Sequence, residues 1–164
     1  MNQRNQTIDE ITNNAKNLFG ALNIEQLNWK PNATTWSIAE NLDHIIVLNE
    51  SYFPLLAALH NGTYKAPFVS KVGFLVSFFE KMVLSAVQPD RRKKMKTFPI
   101  WEPHTGNVGA GILQKFEEHQ LLLKQKIEAA KDLIDKGTVI SSPASRVFVY
   151  RLGTAFDLII LHEQ

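Results

Sequence analysis

The 164 residues, 45% hydrophobic and 21% charged, fit one globular domain and exclude a disordered tail or a collagen-like rod. Eighteen Lys and Arg against sixteen Asp and Glu leave a net charge of +2, so no global field selects nucleic acid or an acidic membrane. Cysteine is absent, which excludes a disulfide framework, a Cys-ligated zinc or iron–sulfur centre and a cysteine nucleophile.

Apolar residues recur mostly at spacings of three and four, with few alternating runs, which predicts an all-α chain forming a single domain over residues 1–164. The opening stretch MNQRNQTIDEITNNAKNLFG is polar, with no apolar signal core, so a cytoplasmic location is expected. A first helix is predicted from Thr7 or Ile8 to Leu22, weakened near its end by Gly20. The connection LNWKPNATTW leads into Ser37-Ile38-Ala39-Glu40, where serine and glutamate three residues apart form a capping box. The second helix then carries Ile38, Leu42, Ile45, Ile46, Asn49, Tyr52, Phe53 and Leu56 on one arc. It is expected to stop at His60-Asn61-Gly62, which can supply a left-handed C-cap residue.

Phe68 to Val87 follows, a densely apolar piece interrupted by Lys71, Glu80 and Lys81. Those charges are costly in hydrocarbon, so the segment is expected to cover the core or a homodimer interface, with no membrane partner. Gln88-Pro89-Asp90 should close it, and the basic run Arg91, Arg92, Lys93, Lys94 and Lys96 is read as a solvated loop. The longest pattern is Ile112, Phe116, His119, Leu123, Ile127, Ala130 and Ile134, the seam of a bundle helix. Lys136-Gly137 ends it. A last helix is predicted to open at Ser142-Pro143, serine as N-cap and proline at N1, with Phe148, Leu152, Ala155, Ile159 and His162 on its stripe.

Among the five histidines, His60 and His104 fall at a helix end and in a loop, and His119 on the core stripe of the long helix. His44 flanks the apolar arc of the second helix and His162 lies on the last stripe. Histidines from two sequence-distant helices are how bundles build metal sites, and neutral imidazole suits zinc, nickel, copper or iron. Nothing supports a Ser/His/Asp triad. The glycine-rich stretch Gly106 to Gly111 lacks a preceding strand and a following Lys-Ser/Thr, so it is no phosphate loop.

The run LNWKPNATTWSIAENLDHIIVLNESYFPLL, with Trp29, Pro31, Trp36-Ser37-Ile38, Glu40 and His44 in order, resembles the second-helix signature of the DinB-like (damage-inducible) superfamily of metal-binding four-helix bundles. Lys96-Thr97-Phe98-Pro99-Ile100-Trp101-Glu102-Pro103 resembles that family's loop before the long helix. Arg151-Leu152 through Asp157 to His162-Glu163-Gln164 resembles its final helix.

The resemblance implies an all-α, DinB-like four-helix bundle with a long crossover and one additional helix. It also implies a divalent metal, zinc or nickel being the expected occupant, held by one second-helix histidine and an H-x-x-x-H pair on the last helix. His44 matches the first position and His162 the first member of the pair; the second member would stand four residues later, at a position this sequence does not contain. Relatives are similar to bacillithiol-dependent transferases and mycothiol-dependent isomerases. The implied activity is therefore thiol-dependent S-transfer, or hydrolysis, on a small electrophilic substrate, with a low-molecular-weight thiol as co-substrate and no nucleic-acid partner. The alternative is a non-catalytic, stress-related bundle whose metal site is degenerate or structural.

Overall fold

The computed structural model describes residues 3–87, 96–104, 106, 108, 109 and 111–164. The expected Gln88-Pro89-Asp90 stop and most of the basic run lie outside them. The chain is mostly helical, with one two-stranded sheet among the described residues. It divides into two compact units, Met1–Glu50 with Thr97–Lys124, and Ser51–Lys96 with Gln125–Gln164.

In the first unit, α1 (Gln3–Phe19) ends three residues short of the expected Leu22; of the apolar stripe Ile8, Ile11, Ala15, Leu18 and Phe19 it buries the first three, while Leu18 is exposed. The segment read as a connection contains a further short helix, α2 (Ile24–Asn28). Asn23 and Gln26 form its capping box, each side-chain oxygen accepting the other residue's backbone N–H at 2.9 Å. The box at α3 (Ile38–Glu50) is the predicted one: Ser37 Oγ accepts from the Glu40 N–H at 3.1 Å, and Glu40 Oε2 accepts from the Ser37 N–H at 2.8 Å. Lys30 donates to the other Glu40 oxygen at 2.7 Å. Burial pushes the Glu40 carboxyl up, but Lys30 and the Ser37 bonds outweigh it and hold its pKa below the usual range.

The remaining helix of this unit begins α6 (Ile112–Ala129). Lys16 pairs with Glu117 and Asp9 with Lys124. The order is reversed along the two helices, so α1 and α6 run antiparallel, tied at points about two turns apart. Being partly exposed, these pairs set alignment more than stability.

The second unit departs from the predicted element boundaries in three places. The expected second helix breaks after Glu50 and resumes as α4 (Phe53–His60). Pro54 lacks an N–H and its ring clashes with the carbonyl four residues back, so a continuous helix cannot pass. The C-terminal expectation holds: Gly62 takes φ +68°, its N–H bonds to the Leu59 carbonyl, and the Thr63 N–H bonds to the Ala58 carbonyl. That is a Schellman closure. Gly137 (φ +65°) closes α7 (Lys131–Asp135) in the same way, through Ile134 and Leu133. The long helix is interrupted at the buried Ala130, which separates α6 from α7.

The third departure is the largest. Ser142-Pro143 does not open a helix; it lies between β1 (Val139–Ser142) and β2 (Ser145–Arg151). These antiparallel strands pair Ile140 with Tyr150 and Ser141 with Val149, with a bulge at Ser141/Ser142. The Ala144 N–H bonds back to Ser142 Oγ at 3.2 Å, so the serine closes a turn in place of a helix end. Val147, Phe148, Val149 and Tyr150 are β-branched or aromatic and fit a pleated surface. The last helix, α8 (Leu152–His162), therefore starts nine residues later than predicted.

The predicted apolar segment forms a 3₁₀ turn, Phe68–Lys71, and α5 (Gly73–Ala86). One side of α5 packs within its own unit: Val76 is buried and Phe79 meets Phe148 edge-on at 5.4 Å. Glu80 accepts from the Arg151 backbone N–H (3.0 Å), Arg151 Nη1 (2.6 Å) and Thr154 Oγ1 (2.9 Å). A carboxylate at the N-terminus of α8 satisfies donors there and complements the helix dipole. This accounts for one of the charges that interrupt the apolar run. Among the described residues no helix is long and apolar enough to cross a membrane.

Candidate metal centre

His44 stands two turns into α3, downstream of the Ser37–Glu40 box that fixes the start of that helix. It is 6% exposed. Its Nδ1–H donates to the Trp101 carbonyl at 2.5 Å, and the Trp36 ring lies against it with centroids 4.9 Å apart. Burial lowers the His44 pKa, opposed by the Trp101 carbonyl and Asp43. The ring is therefore neutral at pH 7, with Nε2 as the nitrogen that carries the lone pair. A histidine whose Nδ1–H is held by a backbone carbonyl is the usual arrangement behind an Nε2 metal ligand.

The segment that orients His44 also grips its neighbour. Trp101 ends the 3₁₀ turn Pro99–Trp101, with Phe98 edge-on to its ring at 5.4 Å. Three residues later, the His104 backbone N–H and ring Nδ1–H both donate to Asp43 Oδ2, at 2.7 and 2.9 Å. One short loop thus pins two successive α3 residues. These partnerships were not found in the sequence. The sequence marks the loop only by its family resemblance, and no residue pattern announces that a backbone carbonyl will meet a particular imidazole.

His119, on the core stripe of α6, is 5% exposed, and burial lowers its pKa to about 4. Its Nδ1 lies 3.8 Å from Glu50 Oε1. It too is neutral at pH 7. His60 ends α4 and is exposed.

His162 belongs to the second unit, at the last residue of α8. The stripe that was expected to carry it is buried at Leu152, Ala155 and Ile159, but His162 itself is exposed. Among the described residues, no group of three His, Asp or Glu side chains could hold a metal ion. His44 thus fits a ligand position by its burial, charge state and orientation, while a complete three-residue set is not found among the described residues.

Comparisons with the curated proteins and with the solved structures give no match. The model of the DinB superfamily, however, matches residues 7–164. It spans nearly the whole chain, including the Trp36–His44 block and α8. On that match, the chain belongs to the DinB superfamily.

Proposed function

We propose that this DinB-superfamily protein uses a divalent metal, zinc or nickel, for thiol-dependent S-transfer to a small electrophile, with His44 and His162 as its protein ligands. The observation that supports this reading most is the state of His44: buried, neutral and held through Nδ1 by the Trp101 carbonyl. When bound, the metal supplies Lewis acidity that lowers the pKa of a thiol or a water molecule.

The protein's own contributions follow from the geometry. The Trp101 carbonyl fixes the tautomer of His44 and its ring rotation, so the imidazole need not reorganise when it engages a cation. Trp36 covers one side of the ring and keeps water from competing there. Asp43 holds the His104 backbone and ring, which keeps the Trp101 segment against α3. In the transfer itself the thiol gives up its proton to solvent, its sulfur bonds to the electrophilic carbon, and the leaving group departs with the electron pair of the bond that breaks.

A second reading is favoured by two other observations, the exposure of His162 and the lack of a three-residue ligand group among the described residues. It is a non-catalytic, stress-related helical protein with a degenerate metal site. Metal analysis of the full-length protein separates the two. The first reading expects bound zinc or nickel, a drop of about tenfold or more in His44→Ala, and metal-dependent conjugation in a panel of thiols and electrophiles. Metal content that is negligible in wild type, together with no conjugation, leaves the second.

A further inference from the structure

The two units differ sharply in charge. Residues 51–96 and 125–164 hold thirteen Lys and Arg against seven Asp and Glu, a formal +6, whereas the other unit holds five against nine, or −4. The net +2 of the whole chain conceals this asymmetry. The basic unit also carries three phenylalanines whose rings face solvent: Phe68 is 78% exposed, Phe74 73% and Phe78 58%.

Phe74 and Phe78 are one helical turn apart on α5, and the exposed Lys81 continues that stripe. Phe68 and the exposed Lys71 lie on the 3₁₀ turn leading into the helix. The opposite side of α5 carries Val76, Phe79 and Glu80, already engaged within the unit. Five of the six residues from position 91 to 96 are basic as well, so positive charge continues along the chain beyond α5. Aromatic side chains flanked by lysines on one exposed face form the pattern of a helix that lies in a membrane interface. The rings enter the boundary of the acyl chains while the lysine stems reach back to headgroups.

We infer that the α5 face of Phe68, Phe74 and Phe78, with Lys71 and Lys81, docks on an anionic lipid surface. Charge complementarity selects this occupant over a second copy of the chain. A two-fold pairing through the same face would bring Lys71 and Lys81 of one copy against those of the other beside the apolar contact. Negative headgroups remove that repulsion and add attraction for each basic residue near the surface. The attachment is peripheral, since no described helix can span a bilayer.

The test is co-sedimentation of the full chain with vesicles of phosphatidylcholine alone, and with vesicles in which about a third of the lipid is phosphatidylserine. Expected is binding to the anionic vesicles only, weakened on going from about 0.1 to 0.5 M salt. Phe74→Ser/Phe78→Ser should reduce that binding by about tenfold or more, as should Lys71→Glu/Lys81→Glu. All four positions are exposed, so a retained helical circular dichroism signal will confirm that the variants fold. No binding, equal binding to both vesicles, or unchanged binding by the phenylalanine variant overturns the inference. Sedimentation that reveals a dimer converted to monomer by Phe74→Ser/Phe78→Ser also overturns it and assigns the face to a second copy.

Discussion

The two units solve the problem of buried polarity differently. The acidic unit buries imidazoles, His44 and His119, and keeps them uncharged. It also buries Ser37, Asn49 and Gln120, whereas the buried polar groups of the basic unit's described residues are hydroxyls alone: Tyr52 and Tyr150, bonded to each other at 2.7 Å, with Ser141 and Ser142. Burial raises both phenol pKa values, that of Tyr52 most strongly. The difference matters because imidazoles change charge in the physiological range and phenols do not. Sensitivity to mild acid should therefore originate in the acidic unit, and sensitivity to loss of aromatic packing should be greatest where Tyr150 anchors the hairpin.

The largest expected effect is at Tyr150. Tyr150→Ala removes a fully buried ring and a hydrogen-bond partner of Tyr52, and should cost about 3–5 kcal/mol in denaturant unfolding. Tyr150→Phe, which loses only the hydroxyl, should cost about 1–3 kcal/mol. Equal losses in the two variants would mean that the hydroxyl pair, and not the ring, anchors the hairpin.

Next in size is a pH effect in the acidic unit. The His119 pKa is about 4 in the folded chain and roughly 6.5 when unfolded, so between those values the unfolded state binds more protons. The stabilisation from keeping this ring neutral is complete above pH ~6.5 and is lost as pH falls toward 4, amounting to roughly 3 kcal/mol. His44, also lowered by burial, acts in the same direction. Unfolding midpoints at pH 7.5 and 4.5 measure the sum, and His119→Leu should flatten the dependence. A wild-type protein equally stable at both pH values would break the contrast between the units.

The smallest effect tests the helix start behind His44. Ser37→Ala removes the acceptor for the Glu40 N–H and should cost about 1 kcal/mol. On the proposed metal-dependent reading, the box also positions His44, and that variant should bind zinc or nickel more weakly than wild type by more than its stability loss explains.

The same contrast governs how much was legible beforehand. In the acidic unit the Ser37–Glu40 box and the buried positions Ile8, Ile11 and Ala15 are legible in the sequence, because caps and periodicity are local signals, whereas Leu18 shares that stripe and faces solvent. In the basic unit the Schellman glycines Gly62 and Gly137 were equally local and equally legible. Ser142-Pro143 failed because the same dipeptide suits a helix start and a turn, and only pairing with Val139–Ser142 decides between them. Phe148 then lined up with a helical stripe by coincidence. Pro54 was a legible breaker that the apolar arc overrode. At the candidate site, pattern and resemblance single out His44 as a candidate but point to neither Trp101 nor His104. Their contacts with α3 span 57 and 61 residues of sequence, and no short-range pattern encodes such a meeting.

The carboxylate of Glu80 gives α8 an unusual dependence. The helix has no side-chain cap of its own at Arg151; the oxygens bonded to its first turn come from 71 residues earlier in the chain. Closing a loop of that length costs about 4 kcal/mol of chain entropy on a logarithmic scale. The start of the last helix is thus a high-contact-order event, completed only once α5 has docked. Glu80→Gln should slow refolding, because Glu80 ties the timing of the C-terminal helix to the segment that carries the exposed phenylalanines.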